Sequence, residues 1–320
     1  MSGGLWDGPG MGMTDANERT FREFARELRR LNRSAKTISA YHQACLSLER
    51  WLDAEYEDGC DLLEVTREDL REWMIALQAT HAADSIVTYF RSIRATYNWF
   101  SREGLLEDGN PAEGMKAPKG SGKPLHMPSD DDLRKLLGAC QADKSWLGRR
   151  DEAIIRMMCQ AGAPRAGEVA KLETSRVDMD AEVILLHGKT GYRQIPIELS
   201  TARAFSRWTR ARNKLSGIKG QPRFFISATH GQPDMRGALT ETGLYQMFER
   251  RSAEARIERI HPHQTRHWST RQMKKRKIAD GQIKVLNGWR TSAMLEQYGA
   301  ELEAEDAIDC ARQAGIGDVL

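Results

Sequence analysis

Cysteine is scarce in this 320-residue chain, and its few copies lie far apart. The five cysteines are Cys45, Cys60, Cys140, Cys159 and Cys310, and no two are close neighbours. Zinc sites and disulfide frameworks both rely on closely spaced cysteines, so this spacing favours reduced thiols that serve mainly in packing. The sequence therefore predicts neither a metal site nor a disulfide scaffold.

Long apolar runs are also lacking, because no segment approaches the roughly 20 apolar residues needed to cross a bilayer. The opening MSGGLWDGPGMGMTD has no basic start followed by an apolar core, as a secretory signal would require. Its glycines favour a flexible arm over residues 1–14. We therefore expect a soluble, cytoplasmic protein of about two domains.

Net charge is small as well, at +3, but its distribution is uneven. Residues 251–298 contain eleven Lys and Arg against four Asp and Glu, whereas residues 299–320 contain one Arg against six acids. A basic block next to an acidic tail indicates a surface for a polyanion beside a segment that docks on protein.

Residues 15–113 are predicted to form a helical domain. Thr66 and Asp69 match a capping box at the start of one helix. Apolar residues recur at intervals of three and four, which places them on single helix faces. The two longest stripes are Ile38, Tyr41, Cys45, Leu48 and Leu52, and Ile86, Phe90, Ile93, Tyr97 and Phe100.

Several polar residues of this half suit contacts with a nucleic acid. The side of the last helix opposite its apolar stripe offers hydroxyl and guanidinium groups, although an ordinary solvated face has the same composition. Residues 114–124 are predicted to be a linker, whose lysines suit phosphates or merely increase solubility. The candidate contact residues are Lys36, Thr88, Arg91, Arg94, Lys116, Lys119 and Lys123.

Residues 125–320 are predicted to form a second domain that combines helices with a small antiparallel sheet. Ser129 and Asp132 mark its first helix start. The segment EVILLHGKTGYRQIPI predicts a hairpin whose turn contains Lys189. The fold class is therefore mainly α with a small antiparallel β-sheet (α+β). Helices are expected at 151–162, 167–174, 199–215, 241–256, 263–277, 281–286, 292–298 and 302–314.

The polar residues of the second domain suit displacement at a phosphodiester, which needs cations on the phosphate, a nucleophile and an acid for the leaving oxygen. Arg165 precedes a helix on a Gly/Pro turn, where its guanidinium can reach a phosphate, and Glu168 can orient neighbouring groups. A surface ion pair is the alternative for these two. Lys189 can protonate a leaving oxygen, or it is an ordinary solvated turn lysine.

The remaining candidates lie near the C-terminus. His263 and Arg266, in HPHQTRHW, are three residues apart at a helix start, although His261 and His267 are nearby competitors. Trp289 offers an indole N–H donor, or it only packs in the core. Tyr298 offers a phenol nucleophile, or it is the last buried residue of a helix.

Together these residues resemble the tyrosine recombinase, or phage integrase, family. The family signature is Arg, Lys, His-x-x-Arg, His or Trp, and then Tyr, and this chain has it in that order. Arg165 and Lys189 are 24 residues apart, Arg266 and Trp289 are 23 apart, and Tyr298 follows nine residues later. Gln264 and Thr265 replace the frequent Asp-Leu, which changes packing but removes no catalytic group. Trp289 replaces the commoner His, so a donor role survives there but a general-base role does not.

The resemblance implies a two-domain enzyme with a SAM-like core-binding domain and a catalytic domain that form a clamp on DNA. Arg165, Arg266, His263 and Trp289 would bind the scissile phosphate, and Glu168 would orient the pocket. Tyr298 would form a 3′-phosphotyrosine, and Lys189 would protonate the 5′ oxygen. The resemblance implies no metal, and no nucleotide cofactor is needed because the covalent link conserves the bond energy.

The resemblance also implies partners. Four protomers would exchange strands at specific sites through a Holliday junction, near the nucleoid, with accessory DNA-bending or directionality factors. The acidic tail would pack on a neighbouring protomer or fold back on its own. Two other functions stay open: a nicking-closing enzyme similar to type IB topoisomerases, and an inert DNA-binding regulator with the same fold.

Overall fold

The structure is a computed structural model that describes residues 13–56, 60–120, 127–188, 191–292, 295–296, 308 and 311–314. The chain divides into two compact units, Met1–Pro124 and Leu125–Leu320. Each unit has an apolar core of its own. Helices predominate and the sheets are small and antiparallel, so the fold class expected from the sequence is confirmed.

Helices make up the first unit as far as it is described. They are α1 (Asp15–Arg30), α2 (Ala35–Glu55), α3 (Arg67–Gln78) and α4 (Ala83–Arg102). The stripe predicted on α2 is confirmed, because Leu48 and Leu52 are fully buried and Ile38 packs at the edge of the core. The stripe predicted on α4 is also confirmed, since all five of its residues are buried: Ile86, Phe90, Ile93, Tyr97 and Phe100.

Side-chain caps determine where these helices begin. Ser34 accepts the N–H of Thr37 at the start of α2. The predicted capping box is present at α3, where Thr66 Oγ1 accepts the N–H of Asp69 and Asp69 Oδ2 accepts the N–H of Thr66, at 3.3 and 2.8 Å. A cap of this kind stabilises a helix by about 1 kcal/mol because it satisfies N–H groups that have no partner within the helix.

The start of the described chain is anchored on a buried carboxylate. Met13 is buried, and Thr14 caps α1. The Thr14 N–H and hydroxyl and the Asn17 amide all donate to Glu49 Oε1, at 2.9, 2.8 and 2.6 Å. Residues 13 and 14 therefore belong to the first unit, whereas residues 1–12 of the predicted arm lie outside the described residues.

The second unit contains shorter helices around one apolar core. They are α5 (Asp130–Ala142), α6 (Trp146–Cys159), α7 (Ala166–Ala170), α8 (Leu199–Arg212), α9 (Glu241–Glu254), α10 (Pro262–Lys275) and α11 (Asp280–Asn287). The helix start predicted at Ser129 is confirmed, because Ser129 Oγ accepts the N–H of Asp132. The centre of the core is α6, whose Ile154 and Met158 have no exposed surface.

Two small antiparallel sheets complete this unit. The first consists of β1 (Val177–Asp178), β2 (Val183–Gly188) and β3 (Gly191–Pro196) in that order, and the second of β4 (Ile226–Thr229) and β5 (Gln232–Ala238). The β2–β3 hairpin confirms the prediction. The β4–β5 pair was not predicted, because Pro233 and Gly237 interrupt any apolar alternation along β5.

The predicted bounds of two helices are wrong. Helix α6 begins at Trp146 rather than at residue 151, because Ser145 caps it by accepting the N–H of Leu147, and it ends at Cys159 rather than at 162. Helix α7 ends at Ala170 rather than near 174. Its end is set by pairing with another segment, since Leu172 O accepts the N–H of Phe224 at 2.8 Å. The predicted helices at 292–298 and 302–314 fall mostly outside the described residues, of which 295–296, 308 and 311–314 are helical.

The described cysteines are free thiols that help to fill the interior. Cys45 and Cys140 are buried and Cys60 is half-buried. Burial raises the pKa of Cys45, Cys140 and Cys159 to about 12, so these thiols stay protonated at neutral pH. Cys310 lies outside the described residues.

Candidate active site

The turn between α6 and α7 positions Arg165 and Glu168. Gly162 adopts a φ of +71° in this turn, a conformation that favours glycine. The backbone N–H of Arg165 donates to Glu168 Oε2 at 2.7 Å, and its guanidinium donates to Oε1 at 3.3 Å. Glu168 is buried, whereas the Arg165 side chain remains 34% exposed. This pair is therefore not a surface ion pair: a buried carboxylate orients a guanidinium that reaches solvent.

A third residue, Arg193 on β3, completes this arrangement and was not predicted. Its guanidinium donates to both oxygens of Glu168, at 3.3 Å to Oε1 and 2.7 Å to Oε2. It also donates to the carbonyls of Gly162 at 2.8 Å and of Leu286. The signal in the sequence was the alternation of Arg193 with Ile195 and Ile197, which places the arginine on the buried face of the hairpin.

The end of β2 lies against the same carboxylate. A Cβ atom built on Gly188 would lie 2.4 Å from Glu168 Oε1, so any larger residue there would displace that carboxylate. Gly188 pairs with Gly191, which has a φ of +104° and open space around it. The predicted acid Lys189, between these glycines, lies outside the described residues.

Helix α10 places Arg266 beneath Trp289. Arg266 is buried and donates to the carbonyls of Ala163 and Asn287. Its guanidinium carbon lies 5.4 Å from the centre of the Trp289 ring, a cation–π distance. Trp289 is half-buried and packs with the apolar cluster of Leu295. The predicted nucleophile Tyr298, three residues beyond Leu295, lies outside the described residues.

His263 lies near these arginines with its ring against that of His267. The two rings meet edge to face with centroids 4.3 Å apart. His263 reaches solvent, yet desolvation and the charges of Arg266 and Arg165 lower its pKa. Desolvation, followed by His263 and Arg266, lowers the pKa of the buried His267 to about 4. Both rings are therefore neutral at pH 7, so His263 can accept a proton there.

Gln264 and Thr265, which replace the frequent Asp-Leu of the family pattern, have local structural roles. Gln264 accepts the N–H of His261 at 2.6 Å, which caps the start of α10. Thr265 is buried and donates to the carbonyl of Pro262 at 2.8 Å. Neither contact removes His263 or Arg266 from the site. The competitor His261 has its ring 6.0 Å from that of Tyr245.

We call Arg165, Arg193, Arg266 and Glu168 the Glu168 cluster. It combines three guanidinium groups with one carboxylate, a local excess of two positive charges. Burial alone would raise the pKa of Glu168, but Arg193 and the Arg165 N–H outweigh it and lower that pKa. Desolvation, Arg193 and Arg165 lower the pKa of Arg266 to about 9, so it is still charged at neutral pH. Such an excess favours a bound anion.

The structure thus brings together Arg165, Glu168, His263, Arg266 and Trp289. Trp289, together with Arg193, also lines an open cleft of about 960 Å³ between β3 and α11. Its basic lining residues are Arg193, Lys284 and Arg290, and Tyr192 and Val285 expose apolar surface to it. This cleft offers room for a large anionic ligand.

The predicted contact residues of the first unit are solvent-exposed where they are described. Thr88, Arg91 and Arg94 line the outer face of α4, with Arg94 over the Phe90 ring at 5.6 Å. Lys36, Lys116 and Lys119 are also exposed. Lys123 lies outside the described residues. Exposure fits either a DNA contact or a solvated face, so these residues remain predictions.

None of the helices in the described ranges combines the length and the apolarity of a bilayer span. The same ranges contain no group of three or more His, Cys, Asp and Glu side chains arranged to hold a metal ion.

Two family matches account for most of the chain. Residues 129–305 match the phage integrase family, and residues 21–104 match the N-terminal SAM-like domain of phage integrases. The first match alone spans more than half of the chain, which therefore belongs to the phage integrase family. The family expected from the ordered residues is confirmed, together with its enzyme class, DNA strand cleavage and rejoining.

Curated relatives and solved structures agree with this assignment. The chain is 27% identical over 239 residues to tyrosine recombinase XerC of Pseudomonas entomophila strain L48, covering 73% of this chain and 75% of that protein. It is 28% identical over 238 residues to XerC of Alcanivorax borkumensis strain SK2, covering 73% of each.

The fold is similar to that of two DNA complexes. The Tn1549 transposon integrase in complex with transposon right-end DNA gives a TM-score of 0.70 at 18% identity, covering 90% of this chain and 99% of that one. The XerH site-specific recombinase bound to palindromic difH substrate also gives 0.70, at 15% identity, covering 93% and 84%. Identities this low show a shared fold.

Proposed function

We propose that the chain is a site-specific DNA recombinase in which Tyr298 attacks a backbone phosphate and forms a 3′-phosphotyrosine. The observation that supports this most directly is the Glu168 cluster, because Arg165 and Arg193 pair with one carboxylate and the guanidinium of Arg266 lies near it, beside His263 and Trp289. A phosphodiester in displacement spreads negative charge over its nonbridging oxygens. The excess positive charge of the cluster matches that need.

Each role in the displacement has a candidate residue. Arg165 and Arg266 stabilise the charge on the phosphate, and Trp289 contributes an indole N–H. His263, whose pKa is lowered by desolvation and the neighbouring arginines, takes part in proton transfer as a neutral base. Lys189 protonates the departing 5′ oxygen. Glu168 does not touch the phosphate and instead orients Arg165.

The reaction is reversible without an external energy source. The tyrosine ester replaces the phosphodiester that was broken, so a free 5′-hydroxyl from a partner duplex can reverse the attack. Exchange in two steps passes through a Holliday junction and requires four protomers. The acidic segment 299–320 contacts the next protomer in this assembly, and α4 and the basic linker contact the DNA backbone. Because its substrate is duplex DNA, the protein acts at the nucleoid, in the cytoplasm.

Covalent trapping on a DNA library tests the proposal and identifies the target sequence in the same experiment. Purified protein is incubated with nicked duplexes of randomised sequence. After cleavage, the short fragment that carries the free 5′-hydroxyl diffuses away at the nick, so the covalent adduct cannot be reversed. Protein-linked DNA is then isolated and sequenced. We expect one family of related sequences, attached through their 3′ ends. Tyr298→Phe is expected to bind DNA but to give no adduct.

Tyr245→Phe, which changes a partly exposed tyrosine on α9, is the matched control and should give the adduct in full. An adduct at wild-type yield in Tyr298→Phe, or none with the wild-type protein, would contradict the proposal. Two copies of the recovered sequence on one plasmid then separate the activities. Recombinant products support a recombinase, whereas relaxation without joining indicates a nicking-closing enzyme.

A further inference from the structure

Arg193 is a buried cation of the Glu168 cluster to which the proposed mechanism assigns no contact with the phosphate. It is 8% exposed and lies on β3, four residues after Lys189 and opposite Leu186 on β2. A buried charge is costly, and a well-packed apolar residue in place of a buried ion pair is often as stable or more so. Stability alone therefore does not explain an arginine at this position.

The contacts of Arg193 reach the turn that presents Arg165. Its guanidinium donates to the Gly162 carbonyl at 2.8 Å and lies 3.5 Å from the Ala163 carbonyl. Its two bonds to Glu168 orient the carboxylate that in turn accepts from Arg165. The direction of the Arg165 side chain therefore depends on Arg193.

The same guanidinium also reaches the end of α11, just before Trp289. Arg193 donates to Leu286 O and Arg266 donates to Asn287 O, while Arg266 also donates to Ala163 O. Two arginines therefore bridge neighbouring carbonyls of the same two segments, the α6–α7 turn and the C-terminal end of α11. A lysine has one nitrogen and cannot make this set of contacts.

We infer that Arg193 is a positioning residue, which joins the β2–β3 hairpin, the Arg165 turn and the end of α11 into one rigid frame around the phosphate. It acts through Arg165 and Trp289, whose segments its contacts reach. This inference rests on the proposed function, since it assigns Arg193 to that same site.

The test compares Arg193→Lys and Arg193→Gln with the wild-type protein on the trapped DNA sequence. Adduct formation at saturating DNA should slow by about 10-fold in Arg193→Lys and about 100-fold in Arg193→Gln, because a displacement of about 1 Å at the reacting groups costs rates of this order. The DNA dissociation constant should change by less than about 3-fold, since phosphate contacts elsewhere dominate affinity. Arg212→Lys is the matched control.

Arg212 is also buried in the second unit and donates to two carbonyls, those of Gln221 and Arg223. Its lysine variant should lose thermal stability but keep the wild-type rate per folded molecule. The inference is overturned if the Arg193 variants keep the wild-type rate, or if their rate falls only in proportion to the unfolded fraction. Arg193→Lys keeps the charge, so it serves if Arg193→Gln does not fold.

A second readout does not depend on cleavage. Inorganic sulfate should raise the melting temperature of the wild-type protein by binding at Arg165 and Arg266. In Arg193→Lys this increment should fall by at least half, although the charge is kept, and in Arg212→Lys it should not change. An undiminished increment in Arg193→Lys overturns the inference. If the wild-type protein forms no adduct but the sulfate response depends on Arg193, the proposed function fails and the positioning role stands.

Discussion

Two clusters of arginines in the second unit differ in how their positive charge is balanced. The Asp151 cluster, as we call the first, consists of Arg150, Arg250, Arg251, Asp143, Asp151 and Glu254, with three guanidiniums and three carboxylates joined by ion pairs. The Glu168 cluster has three guanidiniums and one carboxylate.

The difference separates a charge-balanced structural network from a cluster with an excess of positive charge. Asp151 is fully buried and accepts from all three arginines of its cluster, which links α6 to α9. That network needs no further anion. In the Glu168 cluster the excess charge persists beside an open cleft, which favours a bound anion. The two clusters have the same number of arginines and differ in the number of carboxylates that balance them.

Removal of the central carboxylate from the balanced cluster should give the largest effect. Asp151→Asn leaves three guanidiniums with two carboxylates, and the uncompensated buried charge should lower the free energy of unfolding by about 3–5 kcal/mol. Urea denaturation measures this loss. Adduct formation per folded molecule should stay at the wild-type rate.

Asp131→Asn, at an exposed pair with Lys135, is the control and should leave stability unchanged. If Asp151→Asn were as stable as the wild-type protein, the balance of charges would not be what stabilises that cluster.

The buried His267, next to the Glu168 cluster, should also appear in the pH dependence of stability, because desolvation above all, and then His263 and Arg266, lower its pKa. The pKa of His267 is about 4 in the folded protein against 6.5 for the free side chain, so below pH 6.5 the unfolded chain binds the proton first. Stability should therefore fall as pH drops from 6.5 towards 4, by at most about 3 kcal/mol from this residue.

His267→Gln isolates that contribution from the carboxylates that titrate in the same range. Urea unfolding of both proteins at pH 7.5, 6.5, 5.5 and 4.5 measures it. The wild-type protein should lose more stability than the variant between pH 6.5 and 4.5. Parallel pH curves for the two proteins would show that His267 titrates normally.

The smallest expected effect is stabilisation of the free protein by sulfate. An anion at about five times its dissociation constant adds about 1 kcal/mol to the free energy of unfolding. Sulfate also stabilises proteins without binding a site, so only a difference between variants shows the contribution of a specific anion site. Arg165→Gln should lose the site-specific part in a thermal melt, whereas Arg250→Gln, in the Asp151 cluster, should keep it. Equal responses of the two variants would contradict an anion site at Arg165.

Local patterns in the sequence predicted much of this fold. The apolar stripes on α2 and α4 are predicted by the spacing of three and four residues. Thr66 and Ser129 predict helix starts because each accepts a backbone N–H in the first turn of its helix. The hairpin around Lys189 follows from alternation on both sides of a Gly-containing turn. Each of these signals involves residues that are near one another in the chain.

Features that depend on distant residues were missed. The early end of α7 results from pairing with Phe224, more than 50 residues later. The start of α6 was hidden because its first turn, WLGRR, has no apolar stripe, while Arg150 pairs with Asp151 inside the core. The role of Arg193 was missed because its carbonyl partners are distant in sequence, in the α6–α7 turn and at the end of α11.

The two glycines beside Lys189 limit how this turn can be redesigned. Alanine at Gly188 would force the Glu168 carboxylate to move, because its Cβ would lie 2.4 Å from Oε1. At Gly191 the constraint is backbone conformation alone, with open space around it. A loop transplanted from another recombinase must therefore begin after Gly188 and keep a glycine at position 191, because a φ of +104° is strained for any residue with a side chain.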